Sequence, residues 1–250
     1  MHLRDPSARY PSAMDFAPRA LSLDLDDTLW PIWPAIERAE RALHDFLSER
    51  CPRTADKYPI MAMRALRDRI AADHPEFAHD FTHQRRLSLQ HALRDSGDDE
   101  LHVDAAFDAF YIARNRIEFY PDALPALARL AARYPIAALT NGNADLERIG
   151  IAQHFKVFVS ARNAGHAKPD APIFHATCAQ LQVAPQDLLH VGDDPLLDIA
   201  GAARAGIHSC WINRREETWP DDLPRPDLEF TTLAALADWL DARHALPETA

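Results

Sequence analysis

The second half of the chain alternates short apolar runs with helical stretches, and this alternation limits the possible folds more than any other feature. Each run has the length of a buried strand, and the runs are Ile136–Leu139, Lys156–Val159, Leu188–Val191 and His208–Ile212. Helical stretches stand before them at 122–133, near Asp145, at 172–181 and at 196–205. Strands that are separated by crossover helices pair in parallel. The pattern predicts an α/β fold with a Rossmann-like parallel sheet and helices on both faces.

A further strand, at 20–24, is separated from the others by a long block in which we predict no strand. This block has helical spacing, with breaks at prolines or at a Ser-Gly pair, and its helices are predicted at 35–49, 60–73, 80–95 and 101–119. A helical block between the first and second strands of a sheet is most simply an inserted cap. We predict an N-terminal tail at 1–19, a core at 20–33 and 120–250, and a helical cap at 34–119.

Charge and hydropathy exclude several classes of partner. The 250 residues carry 38 acidic and 27 basic side chains, a net charge of −11, and form no basic stripe, so neither nucleic acid nor an anionic membrane is expected. No apolar stretch approaches the length of about 20 residues that crosses a bilayer, and the N-terminus does not resemble a signal peptide. The three cysteines are widely spaced without a CxxC pair, which fits a reducing, cytoplasmic setting. We expect a monomer or a homodimer.

Carboxylates gather where the predicted strands end. Asp24, Asp26 and Asp27 close the first strand, while Asp193 and Asp194 follow the strand at 188–191. Ligands of an open parallel sheet bind beyond the carboxyl ends of its strands, so these acids point to one site. Like charges this close repel one another, and a divalent cation such as Mg²⁺ would compensate them. The alternative for the first cluster is an acidic turn that caps the next helix.

Together with a hydroxyl and a lysine, these acids resemble the four motifs of the haloacid dehalogenase-like superfamily, in the same order. The motif DxDxT is followed by a strand-end threonine, a lysine and GDxxxxD. The matching residues are Asp24, Asp26, Thr28, Thr140, Lys168, Gly192, Asp193 and Asp198. The resemblance covers residues 20–232 and implies an α/β core, with the helical block as a C1-type cap.

The resemblance and the demands of phosphoryl transfer imply two catalytic carboxylates. Such a reaction needs an in-line nucleophile, a cation and a group that protonates the departing oxygen. Asp24 is expected to be the nucleophile and to form an aspartyl-phosphate. Asp26 is expected to act as the acid for the leaving group and then as the base for water.

The same resemblance implies the residues that hold the metal and the phosphate. Mg²⁺ is expected at the Asp24 and Asp193 carboxylates and the Asp26 carbonyl. Thr140, with the backbone amides near Asn141 and Gly142, is expected to bind phosphate oxygens. Lys168 would hold the phosphate against Asp24. Asp198 would orient Lys168 or a metal-bound water, and Asp194 is expected to contact such a water.

Several residues have two readings that the sequence leaves open. Asp27 is either an acid behind the metal ligands or a helix cap. Thr28 is expected to stabilise its loop, and His190 to be a packed residue. The four motifs do not include His79, His83 or Lys57. For the two histidines, a solvated helix face is favoured over a metal site. For Lys57, solvent exposure is favoured over Schiff-base chemistry.

The leading function is a Mg²⁺-dependent phosphatase that acts on a small phosphorylated metabolite. A metal-free 2-haloacid dehalogenase is the nearest rival, but it would need neither a leaving-group acid nor the acids at 193 and 194. Phosphomutases and phosphonatases are minor options, and a non-catalytic phosphometabolite-binding protein is disfavoured because no motif position is lost.

Aromatic residues near the predicted cap junctions give the first clue to the substrate. Trp30, Trp33, Phe119 and Tyr120 are expected either to stack on a flat substrate, with Trp30 as a binding residue, or only to pack the cap on the core. A second clue is that residues 140–144, 190–194 and 209–212 resemble the bacterial flavin mononucleotide phosphatases, some of which also act on pyridoxal phosphate.

Overall fold

A computed structural model describes residues 16–244, with six parallel strands in one sheet. The strands are β1 (Ala20–Leu23), β2 (Ile136–Thr140), β3 (Val157–Ser160), β4 (Leu188–Gly192), β5 (His208–Ile212) and β6 (Leu228–Phe230). Their order across the sheet is β3-β2-β1-β4-β5-β6, and every neighbouring pair is parallel. The strand order reverses at β1, and ligands of such sheets bind where the order reverses. The predicted α/β class is confirmed.

Helices cover both faces of the sheet, and each face has its own apolar layer. They are α6 (Ala123–Ala131), α7 (Leu146–Ile149), α8 (Ala161–Ala164), α9 (Ala171–Leu181), α10 (Gly201–Arg204) and α11 (Leu233–His244). Because side chains alternate along a strand, Leu21 and Leu23 pack with α6 and α11, whereas Ala20 lies on the opposite face with Phe174 of α9. Both layers are needed to bury β1 completely.

Five of the helices between β1 and β2 pack around a third apolar cluster. They are α1 (Ile32–Arg50), α2 (Pro52–Lys57), α3 (Ile60–Asp73), α4 (Phe81–Ser96) and α5 (Val103–Arg114). Leu43 and Leu47 of α1 meet Leu93 of α4 and Phe110 of α5 inside this cluster. We call these five helices the cap helices. Among residues 16–244, no helix is long and apolar enough to cross a membrane.

The element bounds differ from the sequence-based predictions in a few places. The last cap helix ends at Arg114 rather than at 119, because the chain must return to the sheet, where the Tyr120 N–H donates to the Leu29 carbonyl. The helix predicted at 196–205 is divided into a π-helical turn, Pro195–Ala200, and α10. We predicted neither β6 nor α11, and most of the predicted tail at 1–19 lies outside the described residues.

Candidate active site

The loop after β1 brings two carboxylates to the carboxyl edge of the sheet. The Asp24 N–H donates to the Val191 carbonyl (2.9 Å), so Asp24 continues the pairing of β1 with β4. Asp26 then forms a β-bridge with Trp30, and Asp27 turns the chain with a φ of 60°, a conformation that aspartate tolerates better than most residues. Asp24 and Asp26 consequently line the same cavity.

A buried lysine joins two of the acids. Lys168 Nζ lies 2.5 Å from Asp24 Oδ1 and 2.6 Å from Asp198 Oδ1. Burial by itself lowers the pKa of Lys168, but the charges of Asp198 and Asp24 outweigh it and hold the pKa above its ordinary value. Burial raises the pKa of Asp198, yet Lys168 and a hydrogen bond from His190 hold it well below the usual range. Lys168 is therefore a protonated ammonium beside Asp24.

Two carboxylates at the site lack enough positive charge. Burial raises the pKa of Asp24 to about 7, against the effect of Lys168. Burial, together with the carboxylates of Asp24 and Asp198, raises the pKa of Asp193 to about 9. The hydroxyl of Thr28 donates to Asp193 Oδ1 (3.0 Å) and more weakly to Asp24 Oδ2 (3.4 Å). A neutral hydroxyl cannot balance two carboxylates, so this donor set fits a hard dication.

Asp24, Asp193 and Asp198 place carboxylate oxygens within 4.8 Å of one another. They differ in how many hydrogen bonds those oxygens already accept. Asp198 Oδ1 accepts from Lys168 and from His190 (3.1 Å), and its Oδ2 accepts from the Asp194 N–H (3.0 Å). Asp24 and Asp193 are thus the carboxylates suited to hold a metal, and Asp198 orients Lys168. The Asp26 carbonyl as a third ligand stays a prediction.

The loop after β2 lines the cavity together with Asp24. The Gly142 N–H donates to Thr140 Oγ1 (2.9 Å), and both residues line the cavity. The Asn141 side chain donates to the Lys168 carbonyl (2.9 Å) and accepts from the Lys168 N–H (2.8 Å), so it fixes the lysine loop. A Cβ atom on Gly142 would lie 2.6 Å from Asp26 Oδ2, so a larger residue there would displace the Asp26 carboxylate.

The structure assigns Asp26 a partner that the sequence analysis missed. Arg114, at the end of α5, is almost fully buried, and its Nη2 donates to both Asp26 carboxylate oxygens (2.6 Å each). Its Nε donates to Asn143 Oδ1 (3.2 Å), which links the last cap helix to the loop after β2. Nothing in the motifs points to Arg114, because it lies just before the predicted end of the cap. It holds the proposed acid in place from the cap side.

The expectation that Trp30 stacks on the substrate is wrong. Trp30 is 0% exposed, and its indole N–H donates to Asp26 Oδ1 (2.8 Å). Its ring packs edge-on against Phe119, with the centroids 5.5 Å apart, as the packing alternative predicts. Of the four aromatic residues considered, Trp33 is the one that lines the cavity, and it is 58% exposed. Trp30 therefore supports Asp26 from inside the core.

The remaining readings concern residues around the site. Asp27 Oδ1 accepts from the Ile32 N–H (3.0 Å) at the start of α1, so Asp27 acts as a helix cap, the second of its two readings. Asp194 Oδ1 accepts from the N–H groups of Leu196 and Leu197 (2.8 Å each). His190 is fully buried. Lys57 is half exposed and paired with Asp95 (2.8 Å), away from the cavity. Asp194 thus caps the π-helical turn, while its contact with a metal-bound water stays a prediction.

The cavity above these residues holds about 600 Å³ and lies between the sheet edge and the cap helices. Its floor includes Asp24, Thr140, Lys168 and Asp193, and its upper wall includes Trp33 of α1 and residues of α3 and α4. This volume falls in the range of small-molecule sites. The candidate catalytic groups are on the floor, so the cap helices supply the wall that lies opposite them.

Mg²⁺ is expected to stabilise the fold more at high pH than at low pH. The folded-state pKa values of Asp24 and Asp193 are raised to about 7 and about 9. Without metal, the free energy of unfolding should therefore fall as pH rises from about 4 to 9. A cation needs both groups deprotonated, so the increase in Tm with millimolar Mg²⁺ should be larger near pH 8.5 than near pH 5.5. Thermal unfolding with Mg²⁺ or with chelator measures this increase in Tm. Asp193→Asn, which lacks one of the two carboxylates, is the control. An equal increase in Tm at both pH values would contradict the prediction.

Comparison with known proteins agrees with this architecture. A family model for haloacid dehalogenase-like hydrolases matches residues 18–206. The 5-amino-6-(5-phospho-D-ribitylamino)uracil phosphatase YigB of Escherichia coli is 33% identical over 225 residues, or 87% of this chain and 94% of that protein. A phosphoserine phosphatase of Thermus thermophilus is 33% identical over 136 residues, or 52% of this chain and 55% of that protein. The structure of a 2-haloacid dehalogenase from Pseudomonas syringae has a TM-score of 0.84 and 36% identity, covering 92% of this chain and 100% of that one.

Proposed function

The chain belongs to the haloacid dehalogenase-like hydrolase family, and we propose that it is a Mg²⁺-dependent phosphatase that acts through an aspartyl-phosphate on Asp24. The observation that carries the proposal is the arrangement of acids around Lys168. One carboxylate, Asp24, is held by a protonated lysine, and a second, Asp26, lies beside it on the same loop. This pair matches the nucleophile and acid that phosphate ester cleavage requires.

Each half of the reaction uses both carboxylates. Asp24 attacks phosphorus while the bond from phosphorus to the ester oxygen breaks, and Asp26 gives its proton to that oxygen. Asp26 then takes a proton from water, which attacks phosphorus and releases Asp24. Lys168 and the Thr140 hydroxyl, which the Gly142 N–H holds in place, would contact the phosphate oxygens. Mg²⁺, if bound by Asp24 and Asp193, would supply the charge that lets two anions approach.

Dehalogenation is the second candidate, because of the similarity to the Pseudomonas syringae protein. Displacement of halide from a 2-haloacid by Asp24 needs no metal, so the carboxylates of Asp24 and Asp193 would have no cation to hold. Release of a halide also needs no proton, so Asp26 would have no role. The phosphatase accounts for both carboxylates, and two of the relatives described above are phosphatases.

The substrate is proposed to be a phosphate ester with a flat ring. Flavin mononucleotide, pyridoxal phosphate and 5-amino-6-(5-phospho-D-ribitylamino)uracil, on which the Escherichia coli relative acts, are the candidates. The first and the third share a ribityl phosphate. A cavity of about 600 Å³ with Trp33 in its wall accommodates a molecule of this size.

A substrate panel tests the proposal. These three esters, p-nitrophenyl phosphate and 2-chloropropionate should be assayed with Mg²⁺ and with chelator. We expect phosphate release from at least one ester, dependent on the metal, and no chloride release. Chloride release in the presence of chelator, with no phosphate released under either condition, would overturn the proposal.

A further inference from the structure

One cationic side chain in the upper wall of the cavity has no role in the chemistry described above. Arg85 lies on α4, is half-buried and lines the cavity. Its guanidinium carbon lies 3.5 Å from the centre of the Phe110 ring. Among residues 16–244, no carboxylate forms an ion pair with it and no hydrogen-bond acceptor is assigned to it.

The other arginines that line this cavity all have carboxylate partners. Arg64 Nε lies 2.8 Å from both oxygens of Glu40. Arg67 pairs with Asp68 (2.9 Å), and Arg114 pairs with Asp26 (2.6 Å). Arg85 thus differs from them in having no acceptor for its N–H groups. An arginine has only donors, so a ligand that fills this part of the cavity must bring the acceptors.

The surroundings of Arg85 indicate what kind of acceptor fits. Burial, followed by the charges of Arg67 and Arg114, lowers the pKa of Arg85 to about 9, so it is still a cation at neutral pH. Apolar side chains surround the same space, among them Trp33, Ile36 and Phe81. An apolar wall suits the faces of a flat ring, while the N–H groups of a guanidinium suit a carbonyl oxygen at the edge of that ring.

We propose that Arg85 binds a carbonyl oxygen of a pyrimidinedione ring in the leaving group of the substrate. This inference rests on the proposed phosphatase function and makes Arg85 a specificity-determining residue. A pyrimidinedione is common to the uracil of 5-amino-6-(5-phospho-D-ribitylamino)uracil and to the isoalloxazine of flavin mononucleotide. Pyridoxal phosphate lacks it, so the residue separates the three candidate substrates.

Kinetics of Arg85→Met test the proposal, since methionine replaces the aliphatic part of the arginine side chain and removes the donors. The readout is kcat/KM for each of the two pyrimidinedione esters divided by kcat/KM for p-nitrophenyl phosphate, which lacks the ring. A hydrogen bond to a charged group supports a fall in this ratio of roughly 10- to 100-fold. The loss should lie mainly in KM, because the contact is remote from the reacting bond. Comparison of the two esters shows whether Arg85 contributes more to recognition of the uracil ring or of the flavin ring.

Arg86→Met is the matched control. Arg86 is the next residue of α4, pairs with Asp104 and lies outside this cavity, so its substitution should leave the ratio unchanged. An unchanged ratio in Arg85→Met, or a wild-type preference for pyridoxal phosphate over both pyrimidinedione esters, would overturn the assignment while the phosphatase function stands. If the wild-type protein hydrolysed no ester at all, the proposed function itself would fail.

Discussion

Asp24→Asn is expected to abolish phosphate ester hydrolysis while leaving the protein folded. An amide cannot attack phosphorus, and loss of a nucleophile costs on the order of 10⁴-fold or more in kcat. Asparagine has nearly the same shape as aspartate and keeps an oxygen for Lys168, which would still pair with Asp198. Removing one carboxylate also relieves repulsion, because the pKa of Asp24 is raised to about 7. The free energy of unfolding should therefore stay the same or rise.

Steady-state kinetics and denaturant unfolding of the same preparation measure both effects. Asp26→Asn is the companion variant, in which both half-reactions should slow by about 10²–10⁴-fold. If Asp24→Asn kept a normal rate while Asp26→Asn lost it, the nucleophile would be misassigned.

Lys168→Met is expected to lose both activity and stability. Lys168 and the Asp198 side chain are each 2% exposed, and removal of the lysine leaves Asp198 and Asp24 as buried carboxylates without their cation. Breaking a buried ion pair from one side costs about 3–5 kcal/mol. The phosphate would also lose its positively charged neighbour, so we expect kcat to fall on the order of 10²-fold or more.

The pKa shifts of Asp198 and Lys168 predict the pH range in which Lys168→Met loses most stability. The pKa of Asp198 is lower in the folded protein than in the unfolded chain, where it is near 4, so Asp198 stabilises the fold above about pH 4. This contribution is lost as the pH falls through the pKa of the folded state. The pKa of Lys168 is higher in the folded protein than its ordinary value of 10.5, so Lys168 stabilises the fold below about pH 10. This contribution is lost as the pH rises through the pKa of the folded state. The difference in unfolding free energy between wild type and variant should thus be largest between about pH 4 and 10.

Lys57→Met is the matched control for this variant. Lys57 pairs with Asp95 at 2.8 Å, but its side chain is 50% exposed. Exposed pairs contribute at most about 1 kcal/mol. A loss in Lys168→Met no larger than in Lys57→Met, measured by denaturant unfolding near neutral pH, would contradict the buried-pair account.

The sequence predicted the sheet and the floor of the site because both depend on local patterns. The strands are short apolar runs, and the acids that follow them must meet at one edge of a parallel sheet. Asp24, Asp193 and Lys168 are therefore found together although up to 169 positions separate them. Strand β6 was missed because it has three residues and a glutamate at its centre.

The upper wall of the site could not be predicted in the same way. Arg85 is one of three arginines on α4, and Arg114 is the last residue of α5. Only the packing of these two helices shows that both side chains face the cavity. The direction of Trp30 depends equally on tertiary structure. A tryptophan next to a catalytic loop suggests a binding residue, but the bridge between Asp26 and Trp30 turns the indole into the core.

The most direct measurement is identification of the phosphorylated residue in an acid-quenched reaction. Wild type and Asp26→Asn, in which water attack should be slow, are mixed with the best ester and Mg²⁺, quenched within milliseconds to seconds, digested and analysed by mass spectrometry. The account predicts a phosphate-sized mass increase on the peptide that contains Asp24, absent from Asp24→Asn. Phosphate on a different residue, or continued phosphate release with no phosphorylated peptide in either protein, would contradict it.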